Sequence, residues 1–327
     1  MQRRQVRCDL NSKLVIAMES ARTPTRRSWL AGAAAAPFDA TKPLRIAVMS
    51  KFFQFLDVPA MARAIAGMGF DGIDLCVRPG AHITPERVEE DLPRAAEAIR
   101  AAGLGLPMIT TAILDVETPH AERVLRTAGK LCIRHYRWGG FRYHLDKYIP
   151  PQLESLKTRV AGLAALNRQH GMCAMYHTHS GPGQAGASIW DLWYLLKDFD
   201  PRWVSVNLDI GHATVEGGFG GWIHATRLIL PYTRGIAIKD FRWGRNGKGA
   251  WVPQWCPLGE GMVDFRRYLP MLKDAGFDGP VQMHYEYPLG GADTGSRRPD
   301  MAPEQIYAAM RKDLTLLRQW FKEAGLA

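Results

Sequence analysis

The stretch "RQHGMCAMYHTHSGPG" (168–183) contains one complete unit of the architecture. A helix-like segment stops at Gly171, where a left-handed turn favours a residue without a Cβ. The apolar run that follows has the length of a buried strand. It ends in two histidines one residue apart, just before a glycine-rich turn. Strand side chains alternate faces, so Met175, His177 and His179 share one face and Ala174, Tyr176 and Thr178 the other. Two imidazoles at a strand end suit metal ligation or proton transfer, and equally a water-facing strand end. What other strand ends aim at the same place decides between them.

Outward from this stretch the unit repeats. Strand-like runs stand at 44–50, 72–77, 104–113, 131–138, 173–179, 203–210, 234–241 and 280–287. Between them lie segments with apolar residues at three- and four-residue spacing, among them 58–69, 86–103, 152–171 and 265–276, and a last one at 303–325 closes the chain. Several end in glycine directly before a strand, at Gly69, Gly103, Gly171 and Gly276. The echo "GFDG" at 69–72 and 276–279 marks two equivalent helix-to-strand joints. Eight alternations over residues 41–327 predict an α/β fold, a single-domain (β/α)8 TIM barrel. A doubly wound sheet would carry a glycine-rich phosphate loop after its first strand, and "AVMSKFFQFLD" (47–57) has none.

The 327 residues, 46% of them hydrophobic, suffice for a large core. No apolar run reaches the roughly 18 residues of a membrane span. Residues 1–40 supply +4 of the formal +10 charge, and the remaining basic residues are scattered rather than blocked. That distribution argues against a nucleic-acid partner and suits a small-molecule substrate. The five cysteines form no C-x-x-C pair, so neither a disulfide scaffold nor a zinc knuckle is expected. Residues 1–40 read as a leader: "TPTRRSWLAGAAAAPFDA" (23–40) sets Arg26 and Arg27 before a short small-residue stretch. It resembles a twin-arginine signal and predicts export to the periplasm or beyond, with a cytoplasmic location as the alternative and Met18 as an alternative start.

In such a barrel the active site lies at the C-terminal ends of the strands. Besides His177 and His179, those ends carry Asp209 and His212 in "NLDIGHA" (207–213), Lys239 and Asp240 in "IKDFRW" (238–243), and His284 and Glu286 in "MHYEYP" (283–288). Strand two offers Asp74 and Arg78, and strand four His135, Arg137 and Trp138. Carboxylates closing apolar runs are costly without partners, which marks Asp209 and Glu286 as ligands or catalysts. Lys239 is expected to act in catalysis or to neutralise those carboxylates. His212 is a candidate for hydrogen bonding to substrate, His284 reads as a histidine beneath the site and His135 as structural. Arg137, Trp138 and Asp240 are expected to contact substrate.

The motifs "GFDGIDL" (69–75), "VNLDIGHA" (206–213) with a following "GG", "IKDF" (238–241) and "GEGMVDFRRYLPMLKDAGFDGPVQMHYEY" (259–287) carry a resemblance. Over about residues 44–290 the chain resembles the sugar phosphate isomerase/epimerase family of the xylose-isomerase-like TIM barrel superfamily. That resemblance implies one divalent metal ion held by Glu, Asp, His and Glu on strands five to eight. Asp209 and Glu286 match by position, His177 stands at the strand-five Glu, and Ala237 stands at the strand-seven His. The implied site is therefore His177, Asp209 and Glu286, with His179 as a fourth ligand or acid/base group. Such a set accepts Mn, Co, Ni, Zn or Fe. The implied chemistry is proton removal next to a sugar carbonyl through an enediolate, with a carbohydrate as substrate and a homo-oligomer as one permitted state.

A lyase expelling the C1 substituent of a 3-keto-glycoside is the second reading. A non-catalytic sugar-binding barrel is the third, and phosphodiester cleavage finds too few ligands. The segment 242–261 reads as a substrate cover, with Trp243, Trp251 and Trp255 placed to stack on a sugar ring.

Overall fold

The structure is a computed structural model that describes residues 43–327. The paired arginines Arg26 and Arg27, and the export signal read from them, lie outside the described residues. Parallel strands β1 (Ile46–Met49), β2 (Gly72–Val77), β3 (Gly105–Thr111), β4 (His135–Trp138), β5 (Cys173–His177), β6 (Val204–Asp209) and β7 (Thr233–Ile238) follow in order around a barrel. An antiparallel hairpin of β8 (Asp240–Arg245) and β9 (Trp251–Cys256) comes next. Strand β10 (Val281–Met283) then closes the barrel between β7 and β1. The expected (β/α)8 barrel is therefore present, and the segment expected to cover the site is an ordered hairpin.

Helices α1 (Val58–Met68), α2 (Val88–Ala101), α3 (Ala121–Lys130), α4 (Ile149–His170), α5 (Trp190–Leu196), α6 (Ile210–Gly217), α7 (Gly221–Ile229), α8 (Phe265–Asp274) and α9 (Pro303–Ala324) complete the described chain. Helix α1 starts where Asp57 accepts a 2.8 Å hydrogen bond from the Ala60 amide, satisfying a donor that the first turn leaves open. The four glycines expected to stop helices, Gly69, Gly103, Gly171 and Gly276, have φ of 90, 79, 65 and 64°, where a Cβ is strained. The second glycine of each "GFDG" serves close packing instead. A Cβ on Gly72 would lie 2.8 Å from the Gly105 carbonyl, and one on Gly279 would collide with the Arg234 carbonyl.

Strand alternation sorts the core. Tyr136, Trp138, Ala174, Tyr176, Val204, Val206, Leu208, Ile236 and Ile238 belong to the large cluster between strands and helices. The opposite phase fills the barrel, with Met108, Cys173 and Met175 as a separate buried apolar cluster. Buried polar groups also occupy that interior. Thr110 donates to the Asp74 carboxylate at 2.7 Å, and Gln282 donates to it at 2.6 Å. Asn207 donates to Gln282 at 2.5 Å and to His177 Nδ1 at 3.1 Å. Burial pushes the Asp74 carboxyl up to about 6 against those donors. The chain of bonds thus runs from β2 across the barrel to the first histidine of "HTH".

Candidate active site

The C-terminal ends of the strands bring the sequence-predicted groups to one place. Lys239 follows β7 and is 2% exposed, so its charge must be met locally. Its ammonium donates to Glu286 Oε1 at 2.8 Å and to His212 Nε2 at 2.7 Å. It lies 3.2 Å from Asp209 Oδ2 and 4.0 Å from the centre of the Trp255 ring. Gly211 makes room for this lysine, since a Cβ there would stand 2.8 Å from Lys239 Cγ. Asp209 also caps α6, accepting from the His212 amide at 3.0 Å, so one carboxylate holds both the helix and the lysine.

The hydrogen bonds orient the imidazoles. A lysine donating to His212 Nε2 leaves its proton on Nδ1, which then donates to Ser180 Oγ at 2.8 Å. Arg137 Nη2 donates to His179 Nε2 at 3.1 Å, placing that proton on Nδ1. His177 and His179 stack edge to face at 4.7 Å, and His179 lies 5.1 Å from His212 between ring centres.

Burial, reinforced by Arg137 and Lys239, pushes the His179 pKa down to about 3. Burial, with Lys239 next, pushes His212 far down, and His177 and His284 fall well below the ordinary value for the same leading reason. All four rings are therefore neutral near pH 7. Burial raises Asp209 to about 6, opposed by Lys239. Burial would raise Glu286 as well, but Lys239 beside it outweighs that and holds the carboxyl below its ordinary value.

A cavity of about 360 Å³ opens above these groups. Its lining includes His179, His212, Trp255, His284 and Glu286 on the side of Lys239, together with Met49, Phe52, Lys51, Arg78, Arg137, Asp293 and Thr294. Its volume lies in the range that takes a small ligand. Lys51 is a cavity-lining residue that sequence reasoning missed, because it stands in a 3-10 turn after β1 where strand alternation no longer applies.

Four expected substrate contacts, Trp138, Asp240, Trp243 and Trp251, stand elsewhere. Trp138 is fully buried on the outer face of β4, with its indole N–H on the Leu114 carbonyl at 2.9 Å. Neighbouring strand residues point opposite ways, so Arg137 reaches the cavity and Trp138 packs against Phe141 and Tyr176. Asp240 spends its carboxylate on the amides of Phe241, Gly259, Gly261 and Val263 at 2.9–3.1 Å, and so ties down the hairpin's return. Trp251 is 61% exposed under Arg245, four residues along β9 from Trp255. Of the three hairpin tryptophans, Trp255 lines the cavity, touching His212 edge to face at 4.9 Å, while Trp243 is exposed on the hairpin.

The metal donors also differ from the expected set. His177, Asp209 and His284 offer donor atoms within 4.8 Å of one another, as do His177, His179 and His212. Asp209 Oδ2 lies 3.2 Å from the Lys239 ammonium, 3.5 Å from His177 Nε2 and 4.0 Å from His284 Nδ1. A buried carboxylate oxygen beside two neutral imidazoles is a donor set that a divalent transition metal accepts, with Lys239 ion-paired to the same oxygen. Glu286, expected as the third ligand, is paired with Lys239, and His284 stands in the compact set.

Comparison with known proteins bears on the fold. A search of curated sequences finds no match. Among solved structures, D-psicose 3-epimerase from Clostridium cellulolyticum H10 superposes with a TM-score of 0.62 at 13% identity, over 84% of this chain and 99% of that one. The 3-keto-D-glucoside 4-epimerase from E. coli gives 0.59 at 16% identity over 84% and 99%. A xylose isomerase-like TIM barrel protein from Mycobacterium smegmatis, in complex with magnesium, gives 0.58 at 18% identity over 84% and 99%. At such identities these likenesses establish the shared fold. A family model described as xylose isomerase-like TIM barrel matches residues 62–314, and the chain belongs to that family.

Proposed function

We propose that the protein is a carbohydrate isomerase or epimerase that removes a proton next to a carbonyl and returns it to another carbon or face. The observation that carries this reading is Lys239, buried behind the lining residues Glu286 and His212 and paired with Glu286, Asp209 and His212. Glu286, ionised at neutral pH, takes the proton. Lys239 donates to the oxygen that gains charge as the enediolate forms, where a pre-oriented donor counts most. His212 and Ser180 fix the direction of that ammonium. His179, its tautomer set by Arg137, is held neutral and in place at the cavity wall, and the proton returned to carbon is the one Glu286 took. A divalent ion held by His177, Asp209 and His284 would supply Lewis-acid polarisation of the carbonyl.

The neighbours named above include epimerases acting on a free ketose and on a 3-keto-glucoside, which supports a carbonyl-bearing carbohydrate as substrate. The test is deuterium wash-in from D2O, followed by NMR, across keto-sugars and 3-keto-glycosides. Deuterium should appear at the carbon next to the carbonyl, and Glu286→Gln should slow it by about 100-fold or more. Wash-in that survives Glu286→Gln, or none with any compound, contradicts the reading.

A lyase is the second reading, favoured by one observation. Across from Glu286 stands an imidazole, His179, where epimerisation with two carboxylates would use a second acid. Elimination needs one base and one acid for the leaving group. Release of the C1 substituent during the same experiment would select it.

A further inference from the structure

The cavity has a second wall with its own chemistry. Lys51, Arg78 and Arg137, from the ends of the first, second and fourth strands, all line it. Some surface arginines, Arg87, Arg94, Arg126, Arg202 and Arg318, pair with a carboxylate at 2.5–3.0 Å, and others project into water, where an unpaired charge costs little. Among the described residues, neither Lys51 nor Arg78 has a carboxylate within ion-pair distance, and the side-chain hydrogen bond of Arg137 goes to neutral His179.

The acids nearby are already spent. Asp74 is bonded by Thr110 and Gln282, Asp293 accepts the Leu289 and Gly291 amides at 2.9 and 3.2 Å, and Glu286 holds Lys239. Burial lowers the Lys51 pKa, opposed first by Glu286 and reinforced by Arg78 and Arg137, so grouping these cations out of water has a cost that Glu286 only partly offsets. Lys51, Arg78 and Arg137 face only two lining acids, Asp293 and Glu286, and Glu286 already holds Lys239, so the cavity lining keeps a positive excess.

We infer that the substrate carries an oxyanionic group, the carboxylate of a sugar acid or the phosphate of a sugar phosphate, received in the cavity by Lys51, Arg78 and Arg137. This rests on the proposed reaction only for the word substrate; the anion site itself stands on the wall. Arginine forks match either oxyanion with paired N–H donors, and Lys51 adds a point charge. Such a group would also fix which carbon faces Glu286 and Lys239, because one end of the sugar would be anchored.

The experiment is calorimetric titration of the full chain with three probes that have no carbonyl to react: D-glucitol, D-gluconate and D-glucitol 6-phosphate. One or both anionic probes should bind about tenfold or more tightly than D-glucitol, the carboxylate or phosphate arm naming the source. That advantage should fall with added salt and collapse in Lys51→Gln/Arg78→Gln. Equal affinity for all three probes, or an advantage that persists in the double variant, overturns the inference. Anion binding without deuterium wash-in on any compound would retain this wall and remove the proposed reaction, so the two failures are separable.

Discussion

The inner and outer faces of the same strand ends show opposite uses of neighbouring residues. On β4, Arg137 reaches the cavity while Trp138 is sealed beneath the helices. After β7, Lys239 bridges two acids in the site, whereas Asp240 binds four backbone amides of the hairpin. After β10, Glu286 faces Lys239, and Tyr287 turns outward to donate to Asp313 at 2.9 Å. Position at a strand's C-terminal end is therefore half of the requirement for function, and phase within the strand is the other half.

Substitutions on the two faces should separate stability from chemistry. The largest stability effect is expected for Trp138→Ala, about 3–5 kcal/mol by denaturant unfolding, because a fully buried indole is lost with its hydrogen bond. Ligand affinity of the folded fraction should change little. Asp240→Ala should cost about 2–3 kcal/mol, since several amides lose a charged acceptor. Limited proteolysis should then cut within 242–261 before the barrel.

Asp74 tests the polar interior. Its folded-state pKa is raised to about 6 from 3.8, so its contribution is most favourable below the unfolded value and is lost as pH rises through about 6. Asp74→Asn should therefore gain on the wild type between pH 4 and pH 7, by about 2 kcal/mol at the upper end. A constant difference across that range would refute the raised carboxyl. The smallest effect belongs to Trp251→Ala, within about 0.5 kcal/mol in stability, because its ring is mostly exposed.

Much of the barrel was legible because helix stops and strand runs are local signals. Gly69, Gly103, Gly171 and Gly276 all adopt the backbone that their positions implied. The run 72–77 coincides with β2, and the alternation in "MYHTH" correctly groups Met175 and His177 inside and Tyr176 outside. The run 131–138 was too long, because Leu131 and Cys132 still close the turn of α3, with Cys132 at φ 62°.

In the site, Asp209, Lys239, His212 and Glu286 were readable from position, but their pairing was not. That Lys239 meets both Asp209 and Glu286, and that Asp209 also lies beside His177 and His284, depends on distances between strands that are remote in sequence. The same holds for His284, whose nearness to Asp209 follows from the barrel's closure. Trp138 and Asp240 were misassigned although alternation argued against pairing each with its neighbour.

The most direct test sets two adjacent residues against each other in the deuterium wash-in reaction. Glu286→Gln should lose about 100-fold or more of the exchange rate, while Tyr287→Phe, one residue on and facing outward, should stay within about twofold of wild type. Equal losses in the two variants, or undiminished exchange in Glu286→Gln, would contradict an inner-face catalytic centre built on Glu286 and Lys239.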